Sequence, residues 1–145
     1  MKKLKRYLVM ILTVVLFVSG VCPDSLAAEV RASKYFYDYD IAVTKTGDRS
    51  FRIDFYVEST EIMNEIGVKY IKIQRSSDGT SWETMRTLYE SSYPDFIVTN
   101  TTRNSDSVTY TGNSGYYYRV YVRFYAADSS GSASKYVYSN QVRLT

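Results

Sequence analysis

Histidine is absent from the 145-residue sequence, and cysteine occurs once, as Cys22. Without histidine the commonest general base and metal ligand is missing, and no serine has an imidazole to activate it. There is no Gly-x-Ser-x-Gly elbow and no glycine loop of the phosphate-cradling kind. Hydrolytic or transfer chemistry would therefore rest on carboxylates alone. Net charge is nearly absent as well. The chain carries 18 Lys+Arg against 15 Asp+Glu, but four of those cations (Lys2, Lys3, Lys5, Arg6) and one acid (Asp24) lie in the first 27 residues, which leaves 14 of each sign beyond them. A neutral remainder gives no footing to nucleic acid or to an anionic membrane as partner.

What the first 27 residues do contain is a basic start, an apolar run from Leu8 to Val21, and a polar stretch ending in Ser25-Leu26-Ala27 with small residues at −3 and −1. This three-part pattern predicts a secretory signal peptide over residues 1–27, cleaved after Ala27, and a secreted, extracellular product. An uncleaved anchor is the competing reading, but the 14-residue run, interrupted by Thr13, Ser19 and Gly20, falls short of the roughly 20 residues that span a bilayer. Lipidation at Cys22 is a third, opposed by Val21, which stands where the bacterial lipobox it would resemble has a small residue. Cleavage removes the cysteine. Residues 28–145, predicted as a single domain, then have neither a disulfide nor a Cys/His zinc site, so a hydrophobic core must hold them.

Beyond a short polar lead from Ala28 to Ser33, apolar and aromatic residues recur with period two, the strand signal. Phe51, Ile53, Phe55 and Val57 alternate with Arg52, Asp54 and Glu58. Runs from Val68 to Arg75 and from Trp82 to Leu88 flank Ser76-Ser77-Asp78-Gly79-Thr80-Ser81, whose Asp-Gly is a hairpin signal. The longest run, Tyr116 to Ala126, turns Tyr116, Tyr118, Val120, Val122 and Phe124 inward. A first strand is expected around Tyr35 to Thr46 and a last one from Lys135 to Leu144. Ser59 to Gly67 reads as a single helical turn, capped by Ser59 or Thr60 and stopped by Gly67. The stretch from Glu90 to Ser107 reads as irregular, with one short strand near Phe96 to Val98. Six or seven closely spaced strands without an alternating helix predict an all-β, antiparallel β-sandwich.

The hairpin Ile71-Lys72-Ile73-Gln74-Arg75-Ser76-Ser77-Asp78-Gly79 with Ser81-Trp82-Glu83-Thr84 resembles the central hairpin of bacterial fibronectin type III domains. Tyr116-Tyr117-Tyr118-Arg119-Val120 resembles their penultimate strand and Ser139-Asn140-Gln141-Val142 their last. The resemblance implies a fibronectin type III or immunoglobulin-like sandwich. It departs from the pattern where Phe51 and Phe55 replace the usual tryptophan and no Leu-x-Pro precedes the tyrosine run. The signal peptide with Met63-Asn64-Glu65-Ile66-Gly67, Ser77-Asp78-Gly79-Thr80-Ser81-Trp82, Tyr93-Pro94, Val108-Thr109-Tyr110 and Phe124-Tyr125-Ala126 is also similar to a family of small secreted proteins of Gram-positive anaerobes, a domain of unknown function. That similarity implies no activity and no site residues.

The outward set of the longest run, Tyr117, Arg119, Tyr121, Arg123 and Tyr125, would join Tyr70, Lys72 and Gln74 on one exposed sheet face if the strands neighbour each other as in the resembled fold. Tyrosine offers a stiff amphipathic surface and arginine a planar fork of donors, the equipment of a binding face. The competing account is that cross-strand Tyr/Arg pairs only stabilise a wet sheet, by about 0.2–1 kcal/mol each. Asp38 and Asp40, two apart on one strand, invite a glycosidase or calcium reading, yet two surface aspartates need only solvent. Asn100-Thr101-Thr102 fits a glycosylation sequon, a coincidence if the chain is bacterial. The expectation is thus a non-catalytic module with no cofactor and no metal, binding an extracellular protein or glycan and leaving the membrane after cleavage. A self-associating assembly protein is the alternative, and a carboxylate-based glycan-acting enzyme is the third reading.

Overall fold

The computed structural model describes residues 34–145; the leader at 1–27 and the lead at 28–33 lie outside them. Among the described residues nine strands build two antiparallel sheets that pack as a sandwich. They are β1 (Asp38–Gly47), β2 (Ser50–Met63), β3 (Glu65–Ser76), β4 (Glu83–Tyr89), β5 (Ile97–Val98), β6 (Thr101–Thr111), β7 (Tyr117–Asp128), β8 (Gly131–Tyr138) and β9 (Val142–Arg143). One sheet has the order β1-β2-β6. The other has the order β4-β3-β7-β8, with β5 added to β3 and β9 to β7. Among the described residues no helix is long and apolar enough to cross a membrane.

The alternation read from the sequence decides which side chains meet between the sheets. Phe51, Ile53, Phe55 and Val57 of β2 are buried, as are Ile71 and Ile73 of β3 and Tyr118, Val120, Val122 and Phe124 of β7. Aromatic rings bridge the layers: Phe51 meets Tyr118 with centroids 5.2 Å apart, and Phe55 meets Phe96 edge-on at 5.6 Å. At one end of the core the Tyr118 hydroxyl accepts from Asn113 N at 2.8 Å, so its polar tip is satisfied.

Four local expectations are corrected. Ser59 to Gly67 is not a helical turn: β2 runs on to Met63, Asn64 crosses, and β3 starts at Glu65. Met63 still pairs with Thr101 of β6, and Met63 and Ile66 both enter the core, so extended pairing outcompetes one turn of helix. Thr101–Ser107 is strand, not loop. It reads as polar because β6 is an edge strand, whose inward positions there hold Asn104 opposite Val57 and Asp106 opposite Phe55. The last strand is two, because Ser139, Asn140 and Gln141 interrupt it. Ser139 Oγ accepts from Val120 N at 2.9 Å, taking a place in the ladder that a backbone carbonyl would hold. Finally, β1 begins at Asp38, since Tyr35 and Phe36 are buried side by side and break the alternation.

Candidate ligand-binding face

The register of β3, β7 and β8 gathers one face of the larger sheet. Tyr70 pairs with Arg123, Lys72 with Tyr121, and Gln74 with Arg119. On the other side of β7, Arg123 pairs with Tyr136 and Tyr121 with Tyr138. Directly opposed residues share a face, so these side chains form successive rows across the strands. The rows interlock. Tyr121 lies 4.6 Å from Tyr138 and stacks with Tyr136 at 6.1 Å, centroid to centroid. Lys72 lies over Tyr70, 5.3 Å from its ring centre, and Arg123 lies over Tyr136 at 5.9 Å. Burial among these neighbours pushes the phenols of Tyr70 and Tyr121 up, which keeps both as neutral donors.

Arg119 is the most constrained cation of the set. Its guanidinium sits between two rings, 4.2 Å from Trp82 and 4.3 Å from Tyr138, while its Nε donates to Gln74 Oε1 at 2.9 Å. Trp82 reaches it because the hairpin loop is folded around Asp78. The Asp78 carboxylate accepts from Ser76 Oγ, Thr80 N and Ser81 N, each at 2.8 Å, and Gly79 takes the positive φ of 77° that the turn requires. Beside it a cleft of about 430 Å³ is lined by Trp82, Tyr116, Ser77, Ser81 and the ion pair Arg75–Glu83.

Five of the seven residues singled out from the sequence, Tyr70, Lys72, Arg119, Tyr121 and Arg123, therefore meet at the centre of the face. The other two stand at its ends. Tyr117 lies under Arg143, 5.3 Å from ring centre to guanidinium, beside the hairpin turn. Tyr125 is covered by Lys69 at 4.3 Å, and Lys69 is itself held by Glu65 and Glu90. Sequence reasoning missed Trp82, Tyr136 and Tyr138 as members. The period-two spacing of Tyr136 and Tyr138 carries the signal for the last two, whereas Trp82 enters only through the fold of the hairpin.

Asp38 and Asp40 lie on the other sheet, exposed, opposite Glu58 and Tyr56 respectively. The Tyr56 hydroxyl donates to Glu58. Among the described residues no group of three or more His, Cys, Asp or Glu is arranged to hold a metal ion. Asn100 takes φ 55° in the turn before β6, a conformation that asparagine tolerates better than most residues. Compared with models of known protein families and with curated proteins, the chain matches none.

Proposed function

We propose that the chain is a secreted, non-catalytic binding module of fibronectin type III-like build, related to the small Gram-positive family it resembles, and that it takes an extracellular ligand on the outer face of β3, β7 and β8. The observation that carries this reading is the continuous ladder Trp82–Arg119–Tyr138–Tyr121–Tyr136, which lies on the solvent side of a sheet whose core is already complete without it. Rigid rings and forked donors at fixed spacing lose little conformational entropy on binding. Self-association through strand edges is the weaker reading, because two of the four edge strands carry charge at the rim of the core: Arg86 of β4, exposed opposite Ile73, and Asp106 of β6, half-buried opposite Phe55.

The test is a glycan and protein array probed with the wild-type chain and with the triple variant R119S/Y121S/R123S. Loss of the wild-type hits in the variant, with the circular dichroism melt retained, supports the reading. Hits that survive the substitutions, or a variant that melts early and binds normally, reduce the face to a structural device.

A further inference from the structure

We infer that the ligand of this face is a polyanionic glycan, lying along β7 from Arg119 to Arg123. The inference rests on the binding reading above and goes beyond it by naming the ligand's chemistry. Its first support is the distribution of charge. The chain beyond residue 27 is neutral, yet the outward positions from Tyr70 to Gln74 on β3, from Tyr117 to Tyr125 on β7, and at Tyr136 and Tyr138 on β8 hold Lys72, Arg119 and Arg123 and not one carboxylate. Among the described residues none of these three cations forms a salt bridge. The acids nearest the row, Glu65 and Glu90 at the Tyr125 end of the face, are paired with Lys69, while Asp38, Asp40, Asp54 and Glu58 are on the outer face of the opposite sheet. A local positive field on a neutral protein selects anions by position rather than by net charge.

The geometry suits an extended ligand. Arg119 and Arg123 are four residues apart on one strand, so about 13 Å separates their Cα atoms, and Lys72 stands between them on the neighbouring strand, opposite Tyr121. With the Trp82 and Tyr138 rings packed against the Arg119 guanidinium and its Nε held by Gln74, the terminal nitrogens are the donors left to an anionic group. What favours a glycan over an acidic peptide is the exposed ring surface along this row. Tyr136 and Tyr138 are 53% and 52% exposed, and Tyr121 and Trp82 flank them in the same ladder. Open aromatic faces with phenol hydroxyls beside the cations match the apolar C–H surface and the hydroxyl rim of a sugar ring.

Binding of the purified protein is to be measured against four size-matched polymers: polygalacturonate, dextran sulfate, neutral dextran and poly-glutamate. The expected result is binding of polygalacturonate or dextran sulfate, the preference telling carboxylate from sulfate, with dextran and poly-glutamate at least about tenfold weaker. K72Q/R123Q removes two cations that form no salt bridge, along with their places over Tyr70 and Tyr136 and the Arg123 Nε bond to Ser134 Oγ, and is expected to lose about tenfold in affinity while the melt falls by no more than a few degrees. Raising salt from about 50 to about 200 mM is expected to cost roughly tenfold in the wild type and less in this variant. Poly-glutamate binding as tightly as the acidic glycans overturns the inference in favour of an acidic protein. Failure of every polyanion, while the array yields a neutral ligand sensitive to R119S/Y121S/R123S, overturns the inference and leaves the binding reading standing. Failure of both removes the two together.

Discussion

The side-chain amide of Asn140 pairs with the backbone of Val43 as a neighbouring strand would: Asn140 Oδ1 accepts from Val43 N at 2.8 Å, and Nδ2 donates to Val43 O at 2.7 Å. Val43 is 3% exposed and belongs to β1, an edge strand of the smaller sheet, so these two backbone groups have little water to turn to. One side chain thus ties the break between β8 and β9 to the opposite sheet and closes part of an open edge. Asn140→Ala is expected to destabilise the fold by about 1–3 kcal/mol, the range for stranding buried backbone groups. Urea denaturation measures it. Asn140→Asp, which keeps the acceptor but faces the Val43 carbonyl with a carboxylate, should recover little.

Gly67 marks the other crossing between the sheets. A Cβ placed on it would lie 1.9 Å from Phe96 O and 2.7 Å from Asn104 Nδ2, and its φ of 149° is one that side-chain-bearing residues rarely adopt. Phe96 O in turn accepts from Asn104 Nδ2 at 3.0 Å, so the contact is fixed from both sides. Gly67→Ala is expected to cost about 3 kcal/mol or more, since both strain and overpacking act. A thermal melt that moves by only a degree or two would mean the Pro94–Phe96 turn can retreat.

These two residues show where the sequence is legible. Phe51 to Val57 and Tyr118 to Phe124 announce their strands because one face is core and the other is water, and the same alternation places Arg119, Tyr121 and Arg123 outward. Gly67 deceives, because a glycine after a Ser/Thr-led apolar stretch reads as a helix stop when the true reason is a carbonyl from a distant segment. Asn104 and Asp106 hide an edge strand, since polar residues at inward positions erase the period-two pattern. Reading Lys135 to Leu144 as one strand obscures the separate positions of Tyr138, on the ladder, and Asn140, crossing to β1. Trp82 joins Arg119 only through the hairpin's three-dimensional course, which no local pattern encodes.

Acid should loosen the hairpin before the sheets. The backbone N–H groups of Ser81 and Thr80 and the Ser76 hydroxyl hold the Asp78 carboxyl well below the usual carboxylate range; Asp128 is held low by Lys34 and Ser130. A group depressed in the folded state stabilises above its unfolded pKa of about 3.9, and that contribution is lost as pH falls towards the folded value. Denaturation midpoints are therefore expected to be level from about pH 7 to pH 5 and to fall below about pH 4. Asp78→Asn, which keeps an acceptor for the two N–H groups but cannot titrate, should fall less. An equal fall in the variant would place the acid sensitivity elsewhere.

The edge strands make a statement about assembly. Arg86 of β4, exposed, and Asp106 of β6, half-buried, stand at the rim of the core opposite Ile73 and Phe55, where an apolar residue would extend the core. Charge at such positions opposes the docking of a second sheet edge. Light scattering at several concentrations is expected to find the wild type monomeric and R86V/D106V oligomeric, increasingly so with concentration. Association of the wild type itself would restore assembly as a function and point to β8, the other edge of the larger sheet.

The Arg119 stack separates shape from charge. Arg119→Lys keeps the positive charge but loses the planar group between Trp82 and Tyr138 and the Nε bond to Gln74. With two rings on one half-buried guanidinium, the loss is expected to be about 1–2 kcal/mol. Trp82 is the one tryptophan of the chain, so its emission reports the stack directly. The emission should shift to longer wavelength in R119K, as water replaces the guanidinium, and remain unchanged in K72Q. Because R119K conserves charge, a variant that loses polyanion affinity at the same salt shows that the ladder orients the arginine fork. One that binds as the wild type does shows that charge alone suffices and that the rings serve the fold.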